Sequence, residues 1–217
     1  MTNYELIKSE CSKYQAKLIV VTKLQDPENI LKLYNLGHRY FAENKAQLLT
    51  QKKDLLPNDI EWHMIGHLQK NKVKSIISFI ANIQSVDSFE LALEINKQAQ
   101  KINRIIPVLL QIKISPDESK YGFEINDLKD SLMTDPWQLL ENVEIKGVMG
   151  IGSLVTDHNI TRQEFRQLKK NFDEINMMTN YRFVMTEISM GMSGDYQIAL
   201  EEGSTMIRIG TLVFADI

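Results

Sequence analysis

The 217-residue sequence contains one cysteine, Cys11. An intramolecular disulfide is therefore excluded, and this cysteine usage fits a reducing compartment. Long apolar runs are missing as well: none approaches the roughly 20 residues that cross a bilayer as a helix. The opening MTNYELIKSECSKYQ has neither an apolar h-region nor a small-residue cleavage site, so no targeting segment is expected. Charge is not dominated by one sign. With 25 basic and 28 acidic residues the net charge is −3, which argues against an electrostatically driven nucleic-acid binder and leaves only local basic patches. Gly (10) and Pro (5) are too few for a fibrous chain, and a 43% hydrophobic content is too high for a disordered one. There is no repeat at the level of identity and no low-complexity stretch. These absences describe a soluble, cytoplasmic, globular chain with no nucleic-acid or membrane partner.

What is present is an alternation of type. Short β-branched runs are followed by longer segments of helical periodicity. Residues 17–22, KLIVVT, suit a strand buried on both faces. Asp26, Pro27 and Glu28 then supply an N-cap, a first-turn proline and a first-turn acid, and Gly37 stands where a C-cap glycine belongs. Further strands are expected near 39–44, 61–66, 81–87, 105–114, 142–151, 185–192 and 205–214. Helices are expected near 45–55, 69–79, 88–101, 124–134, 159–178 and 195–202, with Asp87-Ser88 and Asp195 as caps and Gly203 as a stop. About one helix fits before the first strand. The alternation predicts a parallel sheet, because a crossover helix returns the chain for the next parallel strand. Eight units without a linker favour an α/β fold closed as a (β/α)8 TIM-type barrel over an open doubly wound sheet, in a single domain over 1–217. The last strand would end three residues before the C-terminus.

In such barrels the chemistry lies at the C-terminal ends of the strands. That selects Lys23 after strand one, Asn44 after strand two, His63 and Gly66 at strand three, and Gly191, Ser193 and Gly194 after strand seven. Arg208, Gly210 and Thr211 follow in strand eight. The GMSG segment leads into the Asp195 helix, so backbone N–H groups and a positive helix end converge where barrels bind phosphate. Gly210 would let the backbone approach an anion, and Ser193 and Thr211 would add hydroxyl donors. Lys23 follows five apolar residues, and partial desolvation at the barrel mouth would favour the neutral amine that attacks a carbonyl. A strand-end lysine opposite a phosphate cradle suits a phosphorylated aldehyde: pyridoxal phosphate or a sugar-phosphate aldolase substrate. The plainer readings stand beside these, with SMGMSGD as a turn, RIG as a strand end and Lys23 as a solvated lysine.

VVTK at 20–23, FAENKAQ at 41–47, EWHMIGHLQKNK at 61–72, SKYG at 119–122 and SMGMSGDYQIALEEGSTMIRIGT at 189–211 resemble the pyridoxal phosphate homeostasis proteins. The barrel of that family is similar to the N-terminal domain of alanine racemases, the type III fold of pyridoxal phosphate proteins. The matched blocks keep the family's order over residues 18 to 214. The resemblance implies that Lys23 holds pyridoxal 5'-phosphate as a Schiff base and that Asn44 lies beside the cofactor ring. It likewise implies that Ser193, Gly210 and Thr211 bind the phosphate and that Arg208 stands against the pyridine nitrogen. A permanent cation there disfavours ring protonation and weakens the electron sink that carbanion chemistry needs. Its plainer reading is a structural ion pair inside the barrel. Ala42 stands where the family commonly has glycine and would tighten that strand end. His67 stands for a common proline and alters only a loop, and 147–154 departs from the family's proline-containing loop.

The remaining signals are weaker. His63 and His67 are four apart, but Gly66 breaks any shared helix face and no third ligand is evident, so no metal is expected. Glu201 and Glu202 read as a solvated helix end rather than paired catalytic carboxylates, and QKK at 51–53 and KNKVK at 70–74 read as solvated helix faces. Met190 and Met192 are placed at the pocket. The leading expectation is a monomeric carrier that holds or delivers pyridoxal phosphate to apoenzymes without strong catalysis. It rests on a cradle in a chain that stops after strand eight, without the β-domain that gives alanine racemases a second acid–base. The rivals are a single-domain pyridoxal phosphate-dependent racemase-like enzyme, a Schiff-base aldolase using Lys23, and an adaptor for which the cofactor is an effector.

Overall fold

A computed structural model describes residues 1–117, 120–133, 135–178 and 184–217. Ser119, which opens the SKYG segment, and Thr134, at the end of the helix expected over 124–134, lie outside the described residues. The chain starts with α1 (Asn3–Lys13), whose first turn is closed by a capping box between Thr2 and Glu5. There follow β1 (Lys17–Val21), α2 (Pro27–Asn35), β2 (Tyr40–Glu43), α3 (Ala46–Lys53), β3 (Glu61–Met64), α4 (Lys70–Ile76), β4 (Asn82–Val86) and α5 (Phe89–Gln100). The second half comprises β5 (Ile106–Gln111), α6 (Ile125–Leu132), a 3-10 turn over Asp135–Leu139, β6 (Val143–Met149), α7 (His158–Met178), β7 (Glu187–Ser189), α8 (Tyr196–Glu201), β8 (Met206–Ile209) and α9 (Thr211–Phe214). Each strand pairs in parallel with the next, and β8 pairs with β1 through Lys17–Met206 to Val20–Ile209. The sheet is a closed (β/α)8 barrel, as the alternation predicts.

Strand period explains the two apolar layers. In β1, Ile19 points into the barrel with Ala42, Leu109, Met149 and Met206, whereas Leu18 and Val20 pack outward under the helices. The outer layer is much the larger, and α7 shows why. Its buried residues Thr161, Phe165, Leu168, Phe172 and Ile175 recur every three or four positions, which puts one stripe against the sheet. Full burial of a Phe or Leu side chain contributes about 1.5–3 kcal/mol.

Several expected boundaries are corrected. The strand expected over 205–214 stops at Ile209; Gly210 caps the single-turn α9, so Thr211 lies in a helix and the last strand ends earlier than expected. The strand expected over 185–192 is only Glu187–Ser189, because Gly191 turns the chain at φ +95°. The strand expected over 105–114 ends at Gln111, with Ile112 held by an isolated bridge to Phe123. No helix of the described residues is long and apolar enough to cross a membrane.

Candidate functional site

The barrel's register delivers the strand-end residues. Val21 pairs with Ala42 across β1 and β2, so Lys23 and Asn44, each two residues on, leave the ends of neighbouring strands. Gly66 fixes the position of Asn44 from the other side: a Cβ there would fall 2.3 Å from the Asn44 carbonyl oxygen, so the β3 loop approaches this closely only as glycine. At the end of β7, Gly191 adopts φ +95° and a Cβ on it would lie 2.5 Å from the Ala199 Cβ. This residue lets the chain turn into Ser193 and seat α8 against the barrel.

All six residues nominated from the sequence, Lys23, Asn44, Ser193, Arg208, Gly210 and Thr211, line one cavity of about 150 Å³. Its remaining walls are Val21, Ile65, Ile151 and Met192, so apolar side chains complete a lining that also carries the polar groups. Met190, in contrast, packs in the sheet–helix core. A cavity of about 610 Å³ between His67, Lys70, Asp87 and Glu90 is larger, but it shares no lining residue with this one. Size is therefore not the criterion here; the convergence of an amine, an amide, a guanidinium and hydroxyls from several strand ends is.

Lys23 is exposed, which corrects the expected desolvation: β1 ends at Val21, and Leu24 takes a left-handed φ of +65°, leaving Lys23 on the rim. Arg208 is the opposite case, only 4% exposed within β8. Its Nη1 donates to Ser189 Oγ at 2.6 Å and its Nη2 to the Gly150 carbonyl at 2.9 Å. Burial pulls the guanidinium down to about 10, opposed by the Asp195 carboxylate. Among the described residues no carboxylate lies within 4.0 Å of it, so the structural ion pair considered above is not formed. At working pH it remains a cation with no directly bound anion.

Asp195 caps α8 without touching the helix's own amides; its Oδ1 accepts from the Met192 N–H at 2.6 Å, which folds the MSG turn. Burial raises its carboxyl above the usual value, while the Met192 N–H and then Arg208 oppose that. Among the described residues the Ser193 and Gly194 N–H groups make no hydrogen bond within the protein. The Ser193 side of the cavity therefore offers an unused amide donor, and among the described residues the Thr211 and Leu212 N–H groups that open α9 are likewise without a backbone partner.

Sequence reasoning missed a buried network just beneath this rim. Lys52, expected on a solvated face, is 8% exposed, and its Nζ donates to Glu43 Oε1 at 2.5 Å and to the Thr22 carbonyl at 2.7 Å. The Thr22 hydroxyl donates to the same Glu43 oxygen at 2.7 Å. Thr22 and Glu43 immediately precede Lys23 and Asn44, so this cluster fixes both strand ends. The available signal was the spacing of Ala46, Leu49 and Lys52, which share the buried face of α3. His67 does more than alter a loop. Its ring stacks on Tyr121 at 3.8 Å, and its Nδ1 lies 2.7 Å from Asp87 Oδ2, tying three strand-end loops together. Glu201 and Glu202 are not simply solvated either: Arg162 binds both and Arg166 binds Glu202, joining α7 to α8. In the 147–154 segment, Ser153 donates from both its N–H and its hydroxyl to Glu164, which anchors the rim beside Ile151. Ala42 sits fully buried in the barrel interior.

Comparison with known proteins places this geometry. The family described as alanine racemase, N-terminal domain, matches residues 1–216. A pyridoxal phosphate homeostasis protein of Aquifex aeolicus (strain VF5) is 38% identical over 202 residues, covering 93% of this chain and 87% of that protein. The solved structure of PipY from Synechococcus elongatus PCC7942 with pyridoxal phosphate bound is 34% identical, with a TM-score of 0.86 over 92% of each chain. PipY without pyridoxal phosphate is 35% identical, with a TM-score of 0.87 over 92% of this chain and 93% of that one. The chain belongs to the pyridoxal phosphate homeostasis protein family, whose barrel is that of the alanine racemase N-terminal domain.

Proposed function

We propose that this chain is a pyridoxal phosphate-binding barrel, a single domain over 1–217, that holds the cofactor on Lys23 and acts in its intracellular homeostasis without strong catalysis of its own. The observation that carries the reading is the convergence of Lys23, Asn44, Ser193, Arg208, Gly210 and Thr211 on one cavity. The pyridoxal phosphate of the related PipY structure and the names of the curated relatives support it. Bound here, the cofactor supplies an aldehyde and an electron-accepting ring.

The chain's own residues divide the work. Lys23 brings a primary amine that condenses with an aldehyde carbon and releases water. The free Ser193 amide and the Ser193 and Thr211 hydroxyls are donors for a phosphate. Arg208 aims a permanent cation at the slot, which suits an unprotonated ring nitrogen and opposes the protonation that a strong electron sink requires. Lys23 and Arg208 are the titratable side chains among the described lining residues. Racemisation takes a proton from one face and returns it to the other, and a guanidinium, which offers no free base at working pH, is a poor partner for Lys23 in that exchange. The reading extends to a cytoplasmic monomer that passes its cofactor to apoenzymes.

Borohydride reduction of the protein mixed with pyridoxal phosphate, followed by peptide mass analysis, tests this. The expected product is a phosphopyridoxyl group on the Lys23 peptide. A Lys23 peptide left unmodified by pyridoxal phosphate but labelled by a triose phosphate would replace the carrier with an aldolase.

A further inference from the structure

The barrel interior carries a line of polar side chains that an apolar core would not need. His63, Gln84, Ser189 and Arg208 are each 4% exposed or less and come from β3, β4, β7 and β8. Arg208 Nη1 donates to Ser189 Oγ at 2.6 Å, Ser189 Oγ donates to Gln84 Oε1 at 2.6 Å, and Gln84 Nε2 donates to His63 Nδ1 at 2.9 Å. The direction runs from one end. A guanidinium can only donate, so Ser189 Oγ accepts there, and Gln84 Oε1 is the acceptor that its own hydroxyl proton reaches. That turns the amide oxygen of Gln84 toward Ser189 and its NH2 toward His63, whose Nδ1 must then accept. His63 is thereby fixed as the neutral tautomer with its proton on Nε2.

We propose that Ser189, Gln84 and His63 are positioning residues that hold the Arg208 guanidinium against the cofactor cavity through this one-way chain of neutral groups. The inference rests on the reading of that cavity as the pyridoxal phosphate site. Its physical content is the choice of partners. A carboxylate would orient the arginine equally well but would cancel its charge, whereas a hydroxyl, an amide and a neutral imidazole orient it and leave the charge intact. The Gly150 carbonyl, at 2.9 Å from Nη2, fixes the second nitrogen on the same terms. The full cation therefore stays directed at the slot.

Two measurements test the chain. In the protein without added cofactor, nitrogen-15 spectra should show His63 at neutral pH as the Nε2–H tautomer; an imidazolium or the Nδ1–H tautomer would reverse the chain and overturn the proposal. In the protein loaded with nitrogen-15-labelled pyridoxal phosphate, Ser189→Ala and Gln84→Met should each move the pyridine nitrogen resonance and weaken retention about tenfold. A purely structural role would lower the unfolding temperature of both variants and leave that resonance at its wild-type position, which refutes positioning. Ser189→Ala decides alone if Gln84→Met does not fold. Wild-type protein that fails to load on Lys23 would sink the cofactor reading itself, whereas loaded wild type with unmoved variants would sink only the chain.

Discussion

The Lys52–Glu43 pair offers the sharpest stability prediction, because both groups are out of water. Their side chains are 10% and 0% exposed, the Nζ–Oε1 distance is 2.5 Å, and among the described residues Glu43 Oε2 has no hydrogen-bond partner. Lys52→Met keeps the aliphatic bulk and removes the ammonium, leaving a buried carboxylate with only the Thr22 hydroxyl. Breaking a buried pair from one side costs about 3–5 kcal/mol. At this chain length each kcal/mol moves the unfolding midpoint by about 2–4 °C, so the expected loss is roughly 6–20 °C by circular dichroism. The paired variant Glu43→Gln with Lys52→Met removes both charges and should recover more than half of the loss. A single variant that melts within about 2 °C of wild type, or a double variant no better than the single, would show that the pair is not desolvated as the geometry requires.

Gly66→Ala would place a methyl 2.3 Å from the Asn44 carbonyl, so the two strand ends must separate; lower stability and weaker pyridoxal phosphate retention are expected, and a wild-type melt with wild-type retention would refute the contact. His38 is buried and pulled down to about 4, chiefly by burial. Above its unfolded value near 6.5 it is neutral in both states, and below that only the unfolded chain takes the proton, so stability falls as pH drops from about 6.5 to about 4, in total by on the order of 3 kcal/mol. His38→Gln should make the urea-measured slope between pH 4 and 6 shallower by about 1.4 kcal/mol per pH unit, leaving the similar contribution of His63, and an unchanged slope would contradict it. Ser193→Asp sets a carboxylate among the unused amides and should weaken pyridoxal phosphate binding at least tenfold relative to pyridoxal; equal losses for both ligands would move the phosphate elsewhere.

The barrel was legible because its signals are local and repeated. KLIVV alternates between the inner and outer layers, Pro27 opens α2, and Ser88 caps α5 by accepting from the Leu91 N–H. What failed has physical reasons too. TLVF over 211–214 is a single helical turn of strand-favouring residues, too short to display a helical period, so it merged with the strand before it. Lys52 sits in a lysine pair that reads as solvent-facing; its spacing from Ala46 and Leu49 puts it on the buried face, and its partner Glu43, 9 residues away on another element, makes that burial tolerable. The cavity residues could be nominated because strand ends have a known place in a barrel, and the register then brings them together. Gln84 and Ser189 could not be nominated as a pair. Each is one polar residue on the inner face of its strand, 105 positions apart, and their meaning exists only once the barrel closes.

Whether Lys23 holds pyridoxal phosphate is decided by the visible absorption spectrum of the purified protein, recorded with and without added cofactor and beside Lys23→Ala. Wild type should show a cofactor band that saturates with added pyridoxal phosphate and is absent in Lys23→Ala. A wild-type spectrum without that band, or an equal band in the Lys23→Ala protein, would contradict it.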